Sequence, residues 1–361
     1  MPNLNSYIFS HSKWRIGFFH PLNDVDAMVL ARFSYLPFGK IKMDKCETIG
    51  SICTKMSNQL KLDDYCWPDD YELVNNLKNS RRFKNKRVSD YKRVNNRSIE
   101  KQFSAITIHL NHFEMYLSFF GTDDSITGWK EDFNLAFLDH IPAQTEAQKY
   151  LDTLRKAYPL KKIRLGGHSK GGNLAIYASV TADDPIQKRI LKIYNFDGPG
   201  LRKGTAALDT GAEQVVDRIH SFIPQGSVIG RLFEHKEKVT VVKSNAKNLY
   251  QHDIYSWQVR GNKVVESKST KASDLADKTI TKWLETASKE DQKIFIDSTF
   301  KVLASADINS PLELKDKWFK AMPTMLKTFH ALPKEKKKVV MTVWKKLGSS
   351  FLKARKGDDA N

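Results

Sequence analysis

The stretch "KIRLGGHSKGGNLAIYASV" (162–180) constrains the fold of this 361-residue chain more than any other feature. A β-rich run precedes the glycines, an apolar helix-forming run follows them, and Gly167 and Gly171 flank Ser169 two positions away on either side. In a G-x-S-x-G turn between a strand and a helix, small flanking residues prevent clashes around a strained nucleophile. We predict that Ser169 is such a nucleophile. The alternative is a glycine-rich loop in which Ser169 only caps the helix.

The segments around this turn alternate between strands and helices. The residue patterns predict a hairpin over 104–121, strands at 162–167, 191–196, 215–223 and 238–244, and helices at 128–137, 143–158 and 170–180. Such alternation calls for a mostly parallel sheet covered by helices, which is an α/β fold. We expect an N-terminal helical or cap segment with a basic insertion (1–100), an α/β core (101–268) and a basic helical C-terminal region (269–361). The polar, basic stretch 75–101 is predicted to be a solvated helix or loop.

A serine nucleophile needs a base, and four histidines follow Ser169 in the chain. His220 lies inside a predicted strand, His235 in a charged run and His330 in the helical C-terminal region. His252 instead follows a predicted strand and a polar loop, where a sheet would present it at its C-terminal edge. We therefore predict His252 as the base.

The acid that orients this base is predicted to be Asp197. It directly follows the β-rich run of "IYNFDGPG", and the Gly-Pro-Gly that comes next ends the strand. A carboxylate at this edge can reach an imidazole that arrives from a later loop. The alternative is a turn aspartate that bonds its own backbone. Asp253 adjoins His252 but would have difficulty presenting its carboxylate to the neighbouring ring.

Acyl transfer also requires donors for the tetrahedral oxyanion. We predict the backbone N–H of Lys170, which follows the nucleophile, and that of Thr122, whose hydroxyl is a further candidate. The alternative for Thr122 is an ordinary strand-to-helix cap. The Lys170 side chain either attracts an anionic substrate or lies on a solvated helix face, and we favour the solvated face.

These motifs resemble known families. "FFGTDDSITGWKEDF" resembles the oxyanion loop of the class 3 lipases at Gly121, Thr122, Trp129 and Asp132, and "GGHSKGGNLAIYAS" resembles their nucleophile elbow with Lys170 in place of the usual Leu. The wider set looks like the Mbeg-like family, a bacterial domain of unknown function in the α/β-hydrolase superfamily; its motifs are "NDVDAMVLARFSYLPF", "GHSKGGNLAIYAS", "NFDGPG", "IPQGSVIG" and "QHDIYSW". The resemblance implies an α/β-hydrolase fold and a lipase- or esterase-like serine hydrolase, but supplies no natural substrate.

One position departs from the class 3 lipase pattern. Those lipases carry the acid before a Val in a segment like "SVIG", where this chain has Ser227. Asp197 fits the alternative seen in other lipases, in which the acid follows the strand after the elbow. The departure also leaves open a non-catalytic interaction protein on a hydrolase scaffold.

Charge defines the expected partners. Lys and Arg outnumber Asp and Glu by 59 to 41, and basic clusters lie at 79–97 and 334–356. No zinc-finger, RNP-like or helix-turn-helix signature accompanies them, so a nucleic-acid role is not expected. The C-terminal helices, with Trp344, Leu347, Phe351 and Leu352 among lysines, are predicted to lie on an anionic membrane surface or to pack on the core as a lid.

The remaining signals concern location and cofactors. The N-terminus lacks the features of a signal peptide, and no apolar run approaches the ~18 residues of a membrane-spanning helix. Three cysteines, all before residue 67, lack the tight spacing of a zinc site. We expect a cytoplasmic protein, peripheral to the membrane if the C-terminal helices bind it, with no metal and no cofactor.

Overall fold

The computed structural model describes residues 2–122, 126–135, 138–202, 204, 212–306 and 311–345. Its main sheet has eight strands in the order of the chain. They are β1 (Cys46–Thr48), β2 (Arg87–Asn96), β3 (Lys101–His109), β4 (Glu114–Phe119), β5 (Lys162–His168), β6 (Ile190–Phe196), β7 (Ile219–Pro224) and β8 (Val239–Val242). β3 and β4 form the expected antiparallel hairpin, and β4 to β8 are parallel. A separate two-stranded ladder joins β9 (Val259–Arg260) and β10 (Lys263–Val264).

Helices precede, connect and follow these strands along the chain. They are α1 (Leu4–Ser10), α2 (Asp24–Phe33), α3 (Ile49–Gln59), α4 (Pro68–Asn79), α5 (Ile126–Asn134), α6 (Pro142–Ala157), α7 (Lys170–Val180), α8 (Asp184–Gln187), α9 (Ala212–Val215), α10 (Lys271–Thr286), α11 (Lys289–Ala304), α12 (Pro311–His330) and α13 (334–345). Strand residues alternate between the two faces. The predicted α/β-hydrolase fold, with helical N-terminal and C-terminal segments, is therefore confirmed.

Helix α2 runs along the sheet from the edge where the parallel strands begin to the edge where they end. Asn23 caps its first turn in a reciprocal capping box with Asp26. Tyr116 Oη donates to Ala27 O at 3.1 Å, and Ser118 Oγ donates to Leu30 O at 2.8 Å. Because these donors come from one strand and these acceptors from successive turns of α2, the bonds fix the register of the helix on the sheet.

One sequence expectation fails in the basic N-terminal segment. The polar stretch 75–101 was expected to be a solvated helix or loop, but Arg87–Asn96 forms β2, which pairs with β1 from Cys46 opposite Ser89 to Thr48 opposite Arg87. Val88 is fully buried, and Tyr91 packs against the hydrophobic core. The strand forms because its backbone is paired, although its side chains carry little of the apolar alternation that predicts a strand.

Two buried ion pairs hold the N-terminal helices. The Arg32 guanidinium donates to both oxygens of Asp70 at 2.6 Å, and Tyr255 Oη donates to the same carboxylate at 2.8 Å. Arg82 binds Asp26 in the same two-point manner. Because Arg32, Asp70 and Tyr255 come from α2, α4 and a loop after β8, this pair connects the first hundred residues to the polypeptide that follows the sheet.

The chain divides into two compact units. The first comprises residues 1–94, 103–121 and 143–268, and the second comprises 95–102, 122–142 and 269–361. The first hundred residues thus belong largely with the sheet, and 122–142 with the C-terminal helices. The three predicted segments 1–100, 101–268 and 269–361 remain a prediction about domains.

The second unit is helical and has a small apolar core. Its buried members lie on α11 and α13, and they are Phe295, Ile296, Phe300, Val340 and Val343. The expected helical periodicity after residue 270 is thus observed in the described residues. In that part of the chain, no helix is both long enough and apolar enough to cross a membrane.

Candidate active site

The turn from β5 to α7 places Ser169 in a strained conformation. Its φ is 57° and its ψ is −132°, a region that residues other than glycine rarely adopt. A methyl group at Gly167 would overlap the backbone of Gly171 and the carbonyl oxygen of Phe119, and one at Gly171 would overlap the same oxygen. Both glycines are required because the strand end and the first helical turn pack backbone against backbone.

Three predicted side chains meet at the edge where the parallel strands end. Ser169 Oγ lies 3.0 Å from His252 Nε2, and His252 Nδ1 lies 2.6 Å from Asp197 Oδ2. A carboxylate only accepts, so Nδ1–H donates to Asp197 and Nε2 is left to accept the seryl proton. The arrangement can therefore take a proton from Ser169 while it stabilises the imidazolium that forms.

The Asp197 carboxylate is held from the other side by Ser227. Ser227 Oγ donates to Asp197 Oδ1 at 2.5 Å and accepts from the backbone N–H of Gly230 at 3.0 Å. A side chain at Gly230 would overlap Asp197 Oδ1. Asp197 itself has a φ of 52° and is 1 % exposed. The loop after β7, which carries the acid in class 3 lipases, here supplies a hydroxyl that orients an acid at the end of β6.

The loop that carries His252 is anchored through its backbone. His168 Nε2 lies 2.8 Å from the His252 carbonyl oxygen, and because a carbonyl only accepts, this nitrogen carries the proton. The Trp257 indole donates to Gln251 O at 2.9 Å, and the Gln251 side chain accepts from Gly226 N at 3.0 Å. These bonds fix the position of the imidazole relative to the elbow.

His168 stays neutral in this setting. Burial lowers the pKa of His168 well below its ordinary value, and the neighbouring His252 ring, with its centroid 4.6 Å away, lowers it further. Nδ1 of His168 is buried and has no hydrogen-bond partner among the described residues. A neutral His168 beside His252 adds no second positive charge when the His252 ring takes up a proton.

The predicted oxyanion donors lie in different settings. Lys170 begins α7 directly after the nucleophile, but its side chain is 1 % exposed, so the predicted solvated face is wrong. The first two turns of α7 are packed on every side, which leaves no solvated face there. Gly121 packs against the carbonyl oxygen of His168 and Tyr35 Oη. Thr122 belongs to the second unit, where its hydroxyl donates to Asp132 at 2.5 Å.

The other sequence candidates are engaged elsewhere. His220 lies in β7, and His235 Nδ1 lies 2.8 Å from Glu237 Oε1. Asp253 caps the short helix after it by accepting from Tyr255 N. The side chain of Trp129 lies outside the described part of the chain. No group of His, Cys, Asp and Glu suited to a metal ion occurs in that described part.

Sequence reasoning missed how Ser227, His168 and Trp257 support the triad. The signal for Ser227 was visible, because a hydroxyl stood where the lipase pattern has an acid. Nothing in the spacing of His168 or Trp257 indicates that each bonds the backbone of the His252 loop.

The Mbeg1-like family model matches residues 77–301. Similar solved structures include Lip2 lipase from Yarrowia lipolytica (12% identity, TM-score 0.40, covering 68% of this chain and 83% of that one). Lipase II from Rhizopus niveus has 16% identity and a TM-score of 0.34, covering 45% of this chain and 69% of that one. The lipase from Rhizopus microsporus var. chinensis has 13% identity and a TM-score of 0.31, covering 59% and 82%. No curated protein sequence matches the chain.

The family match covers more than half of the chain and includes the elbow, the acid and the base. The chain belongs to the Mbeg1-like family.

Proposed function

We propose that the protein is a serine hydrolase that cleaves a carboxylic ester, with a lipid or another acyl ester as substrate. The single observation that carries this proposal is the continuous hydrogen-bonded series from Ser169 Oγ through His252 to Asp197, with separations of 3.0 and 2.6 Å. Those separations are within the reach that nucleophilic catalysis requires of a base and its orienting acid. The alternative, in which Ser169 only caps helix α7, is disfavoured because the Ser169 side chain makes no capping hydrogen bond.

In the proposed reaction, Ser169 Oγ attacks the carbonyl carbon while His252 Nε2 takes its proton. The carbonyl oxygen becomes an oxyanion, which the backbone N–H group of Lys170, directly after the nucleophile, is proposed to bind. Collapse of this intermediate breaks the ester C–O bond, and the leaving alkoxide receives the proton from His252. Water then repeats the sequence on the acyl-enzyme, which releases the acid and restores Ser169.

Labelling with a fluorophosphonate probe tests the nucleophile. The wild-type protein should be labelled, and Ser169→Ala should lose labelling and ~10⁴-fold or more of its ester turnover. Ser34→Ala is a matched control, because Ser34 is the buried C-cap residue of α2 and its hydroxyl donates to Ala31 O. p-Nitrophenyl esters of graded chain length would then define the acyl preference. An unlabelled, folded wild-type protein would contradict the proposal.

A non-catalytic role at an anionic membrane surface is the second candidate. Helix α13 exposes Met341 (44 %) and Trp344 (57 %) on the same face as Lys334, Lys338 and Lys345. Leu347, Phe351 and Leu352, which the sequence pattern predicts for this surface, lie outside the described residues. Labelling at Ser169 separates this candidate from the hydrolase, because a purely interacting protein has no activated serine.

A further inference from the structure

The loop between α1 and α2 presents the most exposed aromatic side chains in the described part of the chain. Phe18 is 94 % exposed and Phe19 is 87 % exposed, and Trp14 in the same loop is 47 % exposed. The Phe18 and Phe19 rings contact each other edge to face. Single exposed apolar residues are common, but adjacent exposed rings at a loop tip indicate a surface that is covered in use.

The loop is anchored on both sides of these rings. The Arg82 guanidinium, which is paired with buried Asp26, donates to Trp14 O at 3.4 Å and to Pro21 O at 3.2 Å. Lys86 Nζ donates to Ile16 O at 3.2 Å. Because cations hold the backbone carbonyls before and after the tip, the fold keeps Phe18 and Phe19 outward.

The same edge of the sheet exposes two further apolar side chains. Lys86 Nζ also donates to Leu110 O at 2.7 Å, which connects the loop to the turn between β3 and β4. Phe113 in that turn is 77 % exposed, and Leu160, just before β5, is 92 % exposed. We call Phe18, Phe19, Phe113 and Leu160 the strand-start surface, because they lie where the parallel strands begin.

The charge around this surface is positive. Residues 1–23 contain no Asp or Glu, and Lys13 and Arg15 beside the tip are exposed. Two acidic side chains at this edge are already paired with cations: Asp24 binds Lys192 at 2.8 Å, and Glu114 binds Arg164 at 3.0 Å. Aromatic rings at a tip with cations beside them match the depth profile of an anionic bilayer, where phosphates lie above the hydrocarbon.

We propose that the strand-start surface docks the protein on an anionic lipid bilayer. Phe18 and Phe19 enter the boundary between headgroups and acyl chains, while Lys13 and Arg15 bind lipid phosphates. Because Ser169 lies at the opposite edge of the sheet, the nucleophile faces away from the docked membrane. This inference goes beyond the proposed hydrolase activity and does not depend on it.

Sedimentation of the full chain with vesicles tests this proposal. Vesicles of phosphatidylcholine with about one third phosphatidylserine should bind the wild-type protein more tightly than phosphatidylcholine alone, and salt should weaken the binding. The double variant Phe18→Ser/Phe19→Ser should lose ~10-fold or more of its affinity, because two buried rings leave the bilayer. Lys13→Gln/Arg15→Gln should lose a similar factor on the anionic vesicles only.

Two matched variants make the result decisive. Leu62→Ser removes a half-exposed apolar side chain outside this surface and should bind as wild type. Trp344→Ser tests α13 as the binding element instead. The proposal is overturned if the double Phe variant binds as wild type, if binding is lost only in Trp344→Ser, or if wild type binds neither vesicle. The proposal is also overturned if the wild-type protein binds no vesicles but forms a dimer, and the double Phe variant is a monomer. That result would show that the surface is a protein interface.

Discussion

The two edges of the parallel sheet differ in how they use polar and apolar side chains. Where the strands end, Ser169, Asp197 and Ser227 are all less than 10 % exposed, and their side chains are hydrogen-bonded in one series. Where the strands begin, Phe18 and Phe19 are almost fully exposed. Polar side chains are usually exposed and large apolar side chains usually buried, so each edge of the sheet is an exception to this trend.

Both exceptions are maintained by buried charged groups beneath them. The Arg32–Asp70 pair bonds Tyr255 close to the His252 loop, and the Arg82–Asp26 pair bonds the loop that carries the phenyl rings. Helix α2, which contributes Asp26 and Arg32, spans both edges. Helix α2 therefore supports two separate surfaces, but through different side chains. A mutation at one surface should leave the other surface unchanged.

After Ser169→Ala, the largest effect on turnover should come from Asp197→Asn. An amide cannot hold the Nδ1–H tautomer of His252, so ester turnover should fall ~10³- to 10⁴-fold. Vesicle binding by the opposite edge should not change. Steady-state kinetics and sedimentation on the same preparation check both statements, and near-normal turnover would remove Asp197 from the proposed triad.

Arg32→Ala should be the most destabilising substitution among these. It leaves the Asp70 carboxylate buried without its cation, which costs about 3–5 kcal/mol of unfolding free energy. The double variant Arg32→Leu/Asp70→Leu is the control and should recover part of the loss, since no charge remains buried. Urea denaturation measures both, and a single-variant loss below about 1 kcal/mol would contradict the proposed role of the pair.

Ser227→Ala should reduce turnover more than it reduces stability. A hydrogen bond to a charged group contributes about 1.5–3 kcal/mol, which corresponds to a ~10- to 100-fold loss of turnover if it acts on the orientation of Asp197. Ser227→Thr keeps the hydroxyl and should retain more activity than the alanine variant. Equal activity in the alanine variant and wild type would show that Asp197 needs no second donor.

Acid should weaken the fold through one histidine at each edge. Burial lowers the pKa of His168 well below its ordinary value, and it lowers the pKa of His109 to about 4. The unfolded chain takes up these protons near pH 6.5 and the folded chain does not, so the free energy of unfolding falls as pH drops below that value. For half-exposed His109 we expect about 1 kcal/mol between pH 7 and pH 5, allowing for solvent screening.

The comparison of His109→Asn with wild type isolates this effect. The variant loses the contact with Ser89 at every pH, so its absolute stability is not informative. The change in its unfolding free energy between the two pH values is the measured quantity, and it should be smaller than in wild type. Identical changes would show that His109 does not resist protonation in the fold.

Phe19→Ser should have the smallest effect on stability. Its ring is 87 % exposed, so the folded state loses few contacts and the unfolding free energy should stay within about 0.5 kcal/mol of wild type. A thermal melt checks this. A larger loss would show that the ring packs in solution, and the strand-start surface would then lack its exposed tip.

Local sequence determined the elbow and the order of the site residues. G-x-S-x-G between a strand and a helix permits few backbone conformations, and the motif together with its flanking strand and helix patterns placed Ser169 there. The polar residues after β6 and β8 could be ranked because the ends of parallel strands meet at one edge. These inferences are local, so they needed no knowledge of which distant residues touch.

Only the tertiary structure decided what surrounds those residues. The burial of Lys170, the pairing of β2 and the hydroxyl of Ser227 against Asp197 each depend on contacts between segments far apart in the chain. The exposure of Phe18 and Phe19 also follows from remote donors, Arg82 and Lys86, because a sequence containing two phenylalanines would otherwise be expected to bury them. Local sequence patterns specify backbone conformation, whereas the burial of a side chain depends on how distant segments pack together in the folded protein.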